Sequence, residues 1–320
     1  MDNFLSASLR DQHLGDVEFP LLMLSAMFEN GGNLTQRFFD GHPQMFVYPF
    51  ESQLGTEFVK DHLTPIFPAK YRWPTFSGSA NPIDDYNCII DQECRDRVAN
   101  PQASKFRDVD FDLIDDERRR FFIKHTTASG RSRGAIVAAF FHATFDAWRN
   151  YRQTGEERCY VGFSPIIVVD GDKILQELPA AHLLHIVRNP YSAYADTKKR
   201  AAPLTLDQYM DRWSLAQYYA LRFRAQFPDR LHILRLEDIL TDPVGTLGPV
   251  CQKLGLRISE ILAHPTWNGS NLDVIYPWGI ISSADPDANR AAAEELSQEE
   301  HEAVRLWSAP YLEAFNYEGF

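Results

Sequence analysis

The segment FPLLMLSAMFENGGNLTQRFF, residues 19–39, joins a short apolar run, a glycine-rich turn and a second apolar pattern. Residues 19–28 predict a buried strand, and residues 34–39 predict a helix. Such a unit presents backbone N–H groups and the positive end of a helix dipole to an anion. The candidate anion-binding residues are Glu29, Asn30, Gly31, Gly32, Asn33 and Leu34. The alternative is a tight turn without a ligand, since paired glycines are common in such turns.

Strand and helix patterns alternate along most of the chain. Short apolar runs predict further strands at 45–48, 166–169, 182–187 and 231–236. Helical patterns occupy 133–152, 172–178, 192–200, 206–227 and 296–315. Another helix begins at Asp242, which can cap it, with Pro243 in its first turn. This alternation predicts an α/β protein with a mostly parallel central sheet flanked by helices.

Residues 51–116 break this alternation. They are rich in aromatic, proline and acidic residues and keep no period over more than one or two turns. We interpret them as an irregular cap insertion within a single domain that spans residues 1–320. The aromatic residues of this insertion form either a wall for a flat ligand or a small core of the insertion itself. They are Tyr71, Trp73, Phe76 and Tyr86.

Composition excludes several classes of protein. The formal net charge is −12, so the chain lacks the overall basic field that favours binding to nucleic acids and anionic membranes. The N-terminus has no basic segment followed by a long apolar one, and no later run approaches the roughly 18 apolar residues of a membrane span. The four cysteines lack CxxC spacing, which argues against a metal site. We expect a soluble, cytoplasmic protein without a metal, and we allow for a homodimer.

A second segment, HIVRNPYSAYADTKKR at 185–200, places Arg188 directly after a predicted strand. Open α/β sheets bind ligands at the carboxyl ends of their strands, and a guanidinium can hold a phosphate with two hydrogen bonds. The alternative is an ion pair between Arg188 and an acidic neighbour.

Several motifs in order make the chain similar to the sulfotransferases that use 3′-phosphoadenosine-5′-phosphosulfate. The glycine turn is followed by a short helix and His42-Pro43, and Glu51 follows the next strand. The Arg188-Asn189-Pro190 segment comes later, and after it the stretch ILRLEDILTDPVGTLGPVCQKLGL at 233–256. The resemblance covers roughly 21–48 and 162–320, and it implies the P-loop-like sulfotransferase fold.

This resemblance implies that the phosphosulfate nucleotide is the donor and that a small molecule or glycan is the acceptor. It also implies that the second segment holds the 3′-phosphate, through Arg188, Ser192, Asp196, Thr197 and Lys198. Two positions depart from the family pattern. Glu29 stands where the family has lysine or arginine, and Asp196 stands where it usually has serine.

The missing cation of the turn has two interpretations. In one, a basic residue from elsewhere replaces it, the candidates being Arg37, Lys124, Lys198, Lys199 and Arg200. In the other, the chain keeps the fold and has lost or changed the chemistry, which fold alone does not decide.

Sulfuryl transfer to an alcohol requires a base for the acceptor's proton. Glu51 resembles the glutamate that part of the family uses, and it is the first candidate; the alternative is an exposed or ion-paired acid. His125 follows the apolar, strand-like run FFIK and is the second candidate. His142 lies on a predicted core helix and is expected to be structural.

Three functions follow in order of preference. The first is an enzyme that moves a sulfuryl group from the phosphosulfate nucleotide to a hydroxyl or an amine. The second is a protein of the same fold that binds a nucleotide, another anion or a partner without sulfating it, because of Glu29 and Asp196. The third is a P-loop phosphotransferase, which the missing Gly-Lys-Ser/Thr motif disfavours.

Overall fold

The computed structural model describes residues 18–281 and 283–317. Residues 1–17, on which the expectation of a soluble protein partly rests, lie outside the described part. No helix of the described part combines the length and the apolar character that crossing a bilayer requires.

Five parallel strands form the central sheet. They are β1 (Leu21–Ala26), β2 (Met45–Val47), β3 (Cys159–Phe163), β4 (His182–Val187) and β5 (Leu231–Arg235). Their order across the sheet is β2-β3-β1-β4-β5. Leu22 of β1 is in register with Val161 of β3, and Leu24 is in register with Leu184 of β4. The predicted α/β fold with a parallel sheet is confirmed.

Helices cover both faces of the sheet. In chain order they are α1 (Gly32–Phe39), α2 (Pro82–Cys88), α3 (Gln92–Ala99), α4 (Asp115–Ser129), α5 (Arg133–Ala147), α6 (Gly171–Glu177), α7 (Pro190–Thr197), α8 (Leu206–Gln226), α9 (Leu236–Thr241), α10 (Pro243–Lys253), α11 (Pro286–Ala291) and α12 (Gln298–Leu312). A separate two-stranded ribbon pairs β6 (Thr266–Trp267) with β7 (Ser270–Asn271).

The sheet has an apolar core on each face because successive side chains of a strand point to opposite sides. Leu21 and Met23 belong to the cluster that contains Phe140 of α5. Leu22 and Leu24 belong to the cluster that contains the apolar residues of α1. All of β1 is therefore buried, and the turn that follows it is fixed to a rigid strand.

Helix starts follow from local capping chemistry. The Asn189 side chain accepts a hydrogen bond from Tyr191 N at 2.9 Å, and Pro190 is the first residue of α7. The Asp242 side chain accepts one from Gly245 N at 2.9 Å at the start of α10. The predicted cap of α10 is confirmed.

Two of the strand interpretations are wrong. Residues 166–169 lie largely in a turn of 3₁₀ helix, Ile167–Asp170, and the strand beside β1 is Cys159–Phe163 instead. The apolar run before His125 lies inside α4. Both are short apolar runs, and periodicity does not separate a strand from a buried helical segment at that length.

The cap segment, residues 51–114, contains α2, α3 and short turns of 3₁₀ helix. Buried ion pairs join it to the rest of the molecule. Arg72 Nε lies 2.6 Å from Asp170 Oδ2, and Arg118 Nη1 of α4 lies 2.7 Å from Asp91 Oδ2. The cap segment is thus held firmly against the core.

Candidate functional site

The glycine turn, residues 27–31, lies between the carboxyl end of β1 and the start of α1, as predicted. Gly31 has a φ of +85°, a conformation that favours glycine. A Cβ atom on Gly32 would lie 2.2 Å from the Phe163 ring, which fills the space that a side chain would need. No side chain of the described residues caps α1, so its first-turn N–H groups are available to an anion.

The two asparagines of this region have different contacts. Asn30 is buried, and its Oδ1 accepts a hydrogen bond from Arg188 N at 3.0 Å, which ties the turn to the end of β4. Asn33 Nδ2 donates to Glu51 Oε1 at 3.1 Å, which brings a predicted catalytic residue to the turn. Leu34 packs into the core below.

Two cavities adjoin each other at this edge of the sheet. The turn cavity, beside the glycine turn, has a volume of about 220 Å³. The cap cavity, against the cap segment, has a volume of about 610 Å³. Four residues line both cavities: Glu51, Tyr71, Lys105 and Arg200. These four residues define where a group could pass from one cavity to the other.

Glu51 belongs to a small network of charges. Its carboxylate accepts hydrogen bonds from Asn33 and from Gln53 Nε2, the latter at 3.0 Å. Its backbone N donates to Glu93 Oε2 at 3.1 Å, and Lys105 Nζ lies 2.6 Å from Glu93 Oε1. Burial and the nearby Glu51 charge raise the pKa of Glu93 to about 7, although Lys105 opposes them. Neither here nor elsewhere in the described ranges do His, Cys, Asp and Glu form a cluster suited to a metal.

Arg200 is the one predicted replacement cation that lines the turn cavity. Its Nη1 lies 3.6 Å from Glu29 Oε1, and its guanidinium lies over the Phe28 ring. Burial raises the pKa of Glu29, although Arg200 opposes this shift. Lys105 is a second cation at the site, and sequence reasoning missed it because the cap segment offers no motif that distinguishes it.

The other predicted replacement cations lie elsewhere. Arg37 Nη2 donates to Tyr48 O at 3.1 Å in the interior. Lys199 Nζ lies 2.9 Å from Asp196 Oδ1, and Lys124 is exposed on α4. Lys198 Nζ lies 2.8 Å from Glu300 Oε1 on the surface.

Arg188 follows β4 as predicted, but its guanidinium is already paired. Its side chain is 1% exposed, and Nη1 lies 2.8 Å from Asp196 Oδ2. Nη1 also donates to Glu29 O, and Nη2 donates to Asn289 Oδ1, both at 2.9 Å. The structure thus contains the ion pair with an acidic neighbour, and the contact of Arg188 with a phosphate stays a prediction.

The remaining residues predicted to hold a 3′-phosphate do not line either cavity. Thr197 Oγ1 donates to Ala193 O at 2.9 Å within α7. Ser192 Oγ is buried and has no hydrogen-bond partner among the described residues. Together with Lys198, these side chains lie apart from Glu51 and the turn cavity.

His125 does not reach the site. It lies on α4, and its Nε2 is 2.7 Å from Asp146 Oδ2 on α5. Its ring neighbours that of His142, whose Nδ1 is 2.7 Å from the Tyr160 hydroxyl. The apolar run before His125, which was expected to be strand-like, is part of a helix, and this explains the position of His125.

Of the four residues of the predicted aromatic wall, Tyr71 lines both cavities. Trp73 and Tyr86 are buried in the main apolar cluster, and Phe76 is partly buried against it. The alternative, in which these aromatic residues form part of a core, holds for Trp73 and Tyr86.

A glycine-containing turn between the end of the central strand of a parallel sheet and the following helix is the arrangement of P-loop-like proteins. A model of the Sulfotransferase family matches residues 30–260, and the chain belongs to this family. It has the P-loop-like sulfotransferase fold, with the parallel sheet flanked by helices. No curated protein matches the sequence.

Several solved structures are similar. The sulfotransferase domain from the Synechococcus PCC 7002 olefin synthase has 16% identity and a TM-score of 0.47, with 92% of this chain and 97% of that one covered. A sulfotransferase from Alicyclobacillus acidocaldarius has 12% identity and a TM-score of 0.46, with coverage of 93% and 94%. One from Mycobacterium avium has 14% identity and a TM-score of 0.44, with coverage of 93% and 77%.

Proposed function

We propose that the protein transfers a sulfuryl group from a phosphosulfate donor in the turn cavity to a hydroxyl or amine of an acceptor in the cap cavity. The observation that carries this proposal is the position of Glu51, which lines both cavities and is hydrogen-bonded to Asn33 at the start of α1. A base at the junction of two binding spaces is suited to transfer between them.

In this reaction the acceptor oxygen or nitrogen forms a bond to sulfur while the bond from sulfur to the donor's bridging oxygen breaks. Glu51 takes the acceptor's proton. Negative charge develops on the bridging oxygen, and preorganised donors and cations stabilise such charge. Here the donors are the first-turn N–H groups of α1, and the cations are Arg200 and Lys105.

The donor that the sequence resemblance implies is 3′-phosphoadenosine-5′-phosphosulfate. Its phosphosulfate end suits the turn cavity, where N–H groups and Arg200 meet. Arg188, the residue that the resemblance assigns to the 3′-phosphate, pairs with Asp196 through Nη1, and its Nε has no partner among the described residues. No role is assigned to Arg188 in the transfer.

The acceptor we propose is hydrophilic, as a sugar or another polyhydroxylated molecule is. Most of the cap cavity is lined by polar or charged side chains, including Gln53, Lys70, Gln92, Glu93 and Asp96. Such a lining offers hydrogen bonds in several directions and little surface for an apolar ring. The expectations of a cytoplasmic location and of a homodimer stay predictions.

The test is to incubate the protein with radiolabelled phosphosulfate donors and a panel of sugars, amino sugars and phenols, and to identify sulfated products by mass spectrometry. Glu51→Gln should lower the transfer rate about 10²–10⁴-fold, because it cannot take the proton. Glu57→Gln, an exposed glutamate of the cap segment, is the matched control. Absence of any sulfated product from the wild-type protein would contradict the proposal.

A second candidate is binding without transfer, which the replacement of the turn cation by Glu29 favours. Stabilisation by a donor nucleotide without sulfated product on any acceptor would support it over the first.

A further inference from the structure

Glu93 connects the proposed base to the second cation of the site. It lies in the first turn of α3, and its Oε2 accepts a hydrogen bond from Glu51 N at 3.1 Å. Its Oε1 lies 2.6 Å from Lys105 Nζ. Each oxygen of this carboxylate thus has a different partner, and one side chain joins two residues that are far apart in the sequence.

The position of Glu93 is itself fixed. Two further hydrogen bonds tie the start of α3 to the segment of Glu51: Asp91 N donates to Gln53 O at 2.9 Å, and Gln92 N donates to Gln53 Oε1 at 3.0 Å. Gln53 Nε2 in turn donates to Glu51 Oε2 at 3.0 Å. The carboxylate of Glu93 is therefore anchored to the same backbone that carries the proposed base.

Lys105 has fewer contacts that hold its charged end. Its side chain is 44% exposed, and within the described ranges Glu93 is the one carboxylate that forms an ion pair with it. Its Nζ also lies over the Phe106 ring, 4.8 Å from the centroid. A lysine side chain has a long flexible stem, so an ammonium without a fixed partner populates many rotamers. The ion pair with Glu93 therefore favours the conformation in which Lys105 lines both cavities.

We propose that Glu93 is a positioning residue for the transfer: it holds the Lys105 ammonium and the Glu51 backbone in place where the two cavities meet. The inference rests on the proposed function, because it concerns how that site is ordered. A cation that is already in place needs no reorganisation when negative charge develops during the transfer. Loss of the Glu93 carboxylate should therefore lower kcat and leave KM nearly unchanged.

Variants of Glu93 and Lys105 test this role in steady-state transfer assays. Glu93→Gln keeps an oxygen for Glu51 N and breaks the ion pair, so kcat should fall about 10-fold to 10²-fold. Glu93→Asp keeps the charge and should retain part of the rate. In the background of Lys105→Met, Glu93→Gln should cost little more, because its partner is already gone. Asp108→Asn, which removes an exposed ion pair with Arg107, is the control.

A raised KM with an unchanged kcat in Glu93→Gln would show that Glu93 binds the acceptor, and it would overturn the inference. Additive losses in the double variant would overturn it as well. If Glu93→Gln does not fold, Lys105→Met decides the question. It should lower kcat with little change in KM, and an unchanged kcat would contradict the proposal.

The pH profile of kcat distinguishes positioning from a merely structural role. Burial and the charge of Glu51 raise the pKa of Glu93 to about 7, although Lys105 opposes them. Burial and these two carboxylates also raise the pKa values of Tyr71 and Tyr276, so both phenols stay neutral in this range. The other charged side chains that line the cap cavity are Lys70, Asp96 and Arg200.

Glu93 therefore loses its charge, and with it the ion pair to Lys105, as the pH falls through about 7. The wild-type kcat should fall over the same range. In Glu93→Gln this loss should move to lower pH, because Glu51 then lacks a charged neighbour. Identical pH profiles for the two proteins would contradict the inference.

A measurement without turnover separates this inference from the proposed function. Burial opposes it, but the Glu93 and Glu51 carboxylates raise the pKa of Lys105. In protein with carbon-13-methylated lysines, the NMR signal of Lys105, assigned with Lys105→Met, should titrate at lower pH in Glu93→Gln than in the wild type. An unchanged titration would overturn the inference. If the titration shifts but the wild type sulfates no acceptor, the positioning of Lys105 by Glu93 stands and the proposed transfer fails.

Discussion

At the glycine turn, a carboxylate stands at the family's cation position, Glu29, and a cation from elsewhere in the chain, Arg200, lies beside it. The family resemblance places a cation at position 29, and the chain has a carboxylate there, with Arg200 Nη1 at 3.6 Å from it. Arg200 lies beyond the end of α7, so its charge reaches the turn cavity from a different part of the backbone. Arg200 is therefore our candidate for the cation that the family pattern places at position 29.

Replacing Arg200 tests this exchange. Arg200→Gln should lower kcat by about 10²-fold, because a preorganised charge beside the leaving oxygen is lost. Arg200→Lys should retain part of the rate, since it keeps the charge and loses the planar fork. Steady-state transfer assays provide the measurement, and Lys124→Gln on exposed α4 is the control. Equal rates for Arg200→Gln and the control would show that Arg200 does not act in the reaction.

His185 couples stability to pH. It is buried in β4 with Nε2 at 3.1 Å from Gln217 Oε1, and burial lowers its pKa from 6.5 to about 4. Between these values the unfolded chain binds a proton that the folded chain does not, so stability is full above pH 6.5 and falls as the pH drops towards 4. The loss contributed by His185 is about 3 kcal/mol at most.

The measurement is the denaturant midpoint from pH 7 to 4.5 for the wild type and His185→Gln. The variant keeps an amide for Gln217 and does not titrate, so its stability should fall less steeply with acid. Parallel pH profiles for the two proteins would argue that His185 is not a source of acid sensitivity.

At the scale of elements, the turn and β3 fit each other through Gly32 and Phe163. A Cβ on Gly32 would approach the Phe163 ring to 2.2 Å and the Ala26 Cβ to 2.9 Å. Gly32→Ala should therefore destabilise the protein by roughly 1–3 kcal/mol, as overpacking of a filled core does. The thermal midpoint measures this. Gly78→Ala, where a Cβ would meet nothing within 4 Å, is the control.

A double variant checks the cause. Phe163→Leu should remove part of the overlap, so Gly32→Ala should cost less in that background than in the wild type. Additive costs would show that the Phe163 ring is not what excludes a side chain from position 32.

The sequence predicted well those elements that have a clear hydrophobic period or that turn-forming residues delimit. β1 and β4 are confirmed because turn-forming residues follow each apolar run directly, and α8 is confirmed because its 21 residues are long enough to show a helical period. β3 was missed, because its run CYVGF is short and follows a polar stretch. Lys105 was missed for a different reason. Only the tertiary fold of the cap segment brings it to the turn cavity, and no local sequence pattern marks it.

The site was predictable to the extent that motifs mark backbone positions. The glycine turn, Glu51 and Arg188 all lie at the carboxyl edge expected of them. A motif does not show which residues of other elements contact its side chains. Asn289 on α11, for example, accepts a hydrogen bond from Arg188, and no motif indicates this contact. The partners that a guanidinium meets in the folded chain are therefore a tertiary property.

At the scale of the whole molecule, the cap segment is held by buried charge. Arg72 has no exposed side-chain surface, and it bonds both Asp170 of the core, at 2.6 Å, and Asp61 of the cap segment, at 2.8 Å. Asp170 also accepts from Trp73 N at 2.9 Å. Tyr71, which lines both cavities, precedes Arg72 directly, so this junction positions a wall of the site.

Arg72→Met should cost about 3–5 kcal/mol of unfolding free energy, because it leaves Asp170 buried with Lys173 as its remaining cation. The loss should lower the thermal midpoint by roughly 5 °C or more. Lys253→Met removes an exposed ion pair with Asp229 and should change stability by less than about 1 kcal/mol. If buried charge positions the cap, Arg72→Met should also raise the KM for the acceptor at temperatures where it is fully folded. A variant as stable as Lys253→Met, with an unchanged KM, would mean that apolar packing alone holds the cap segment.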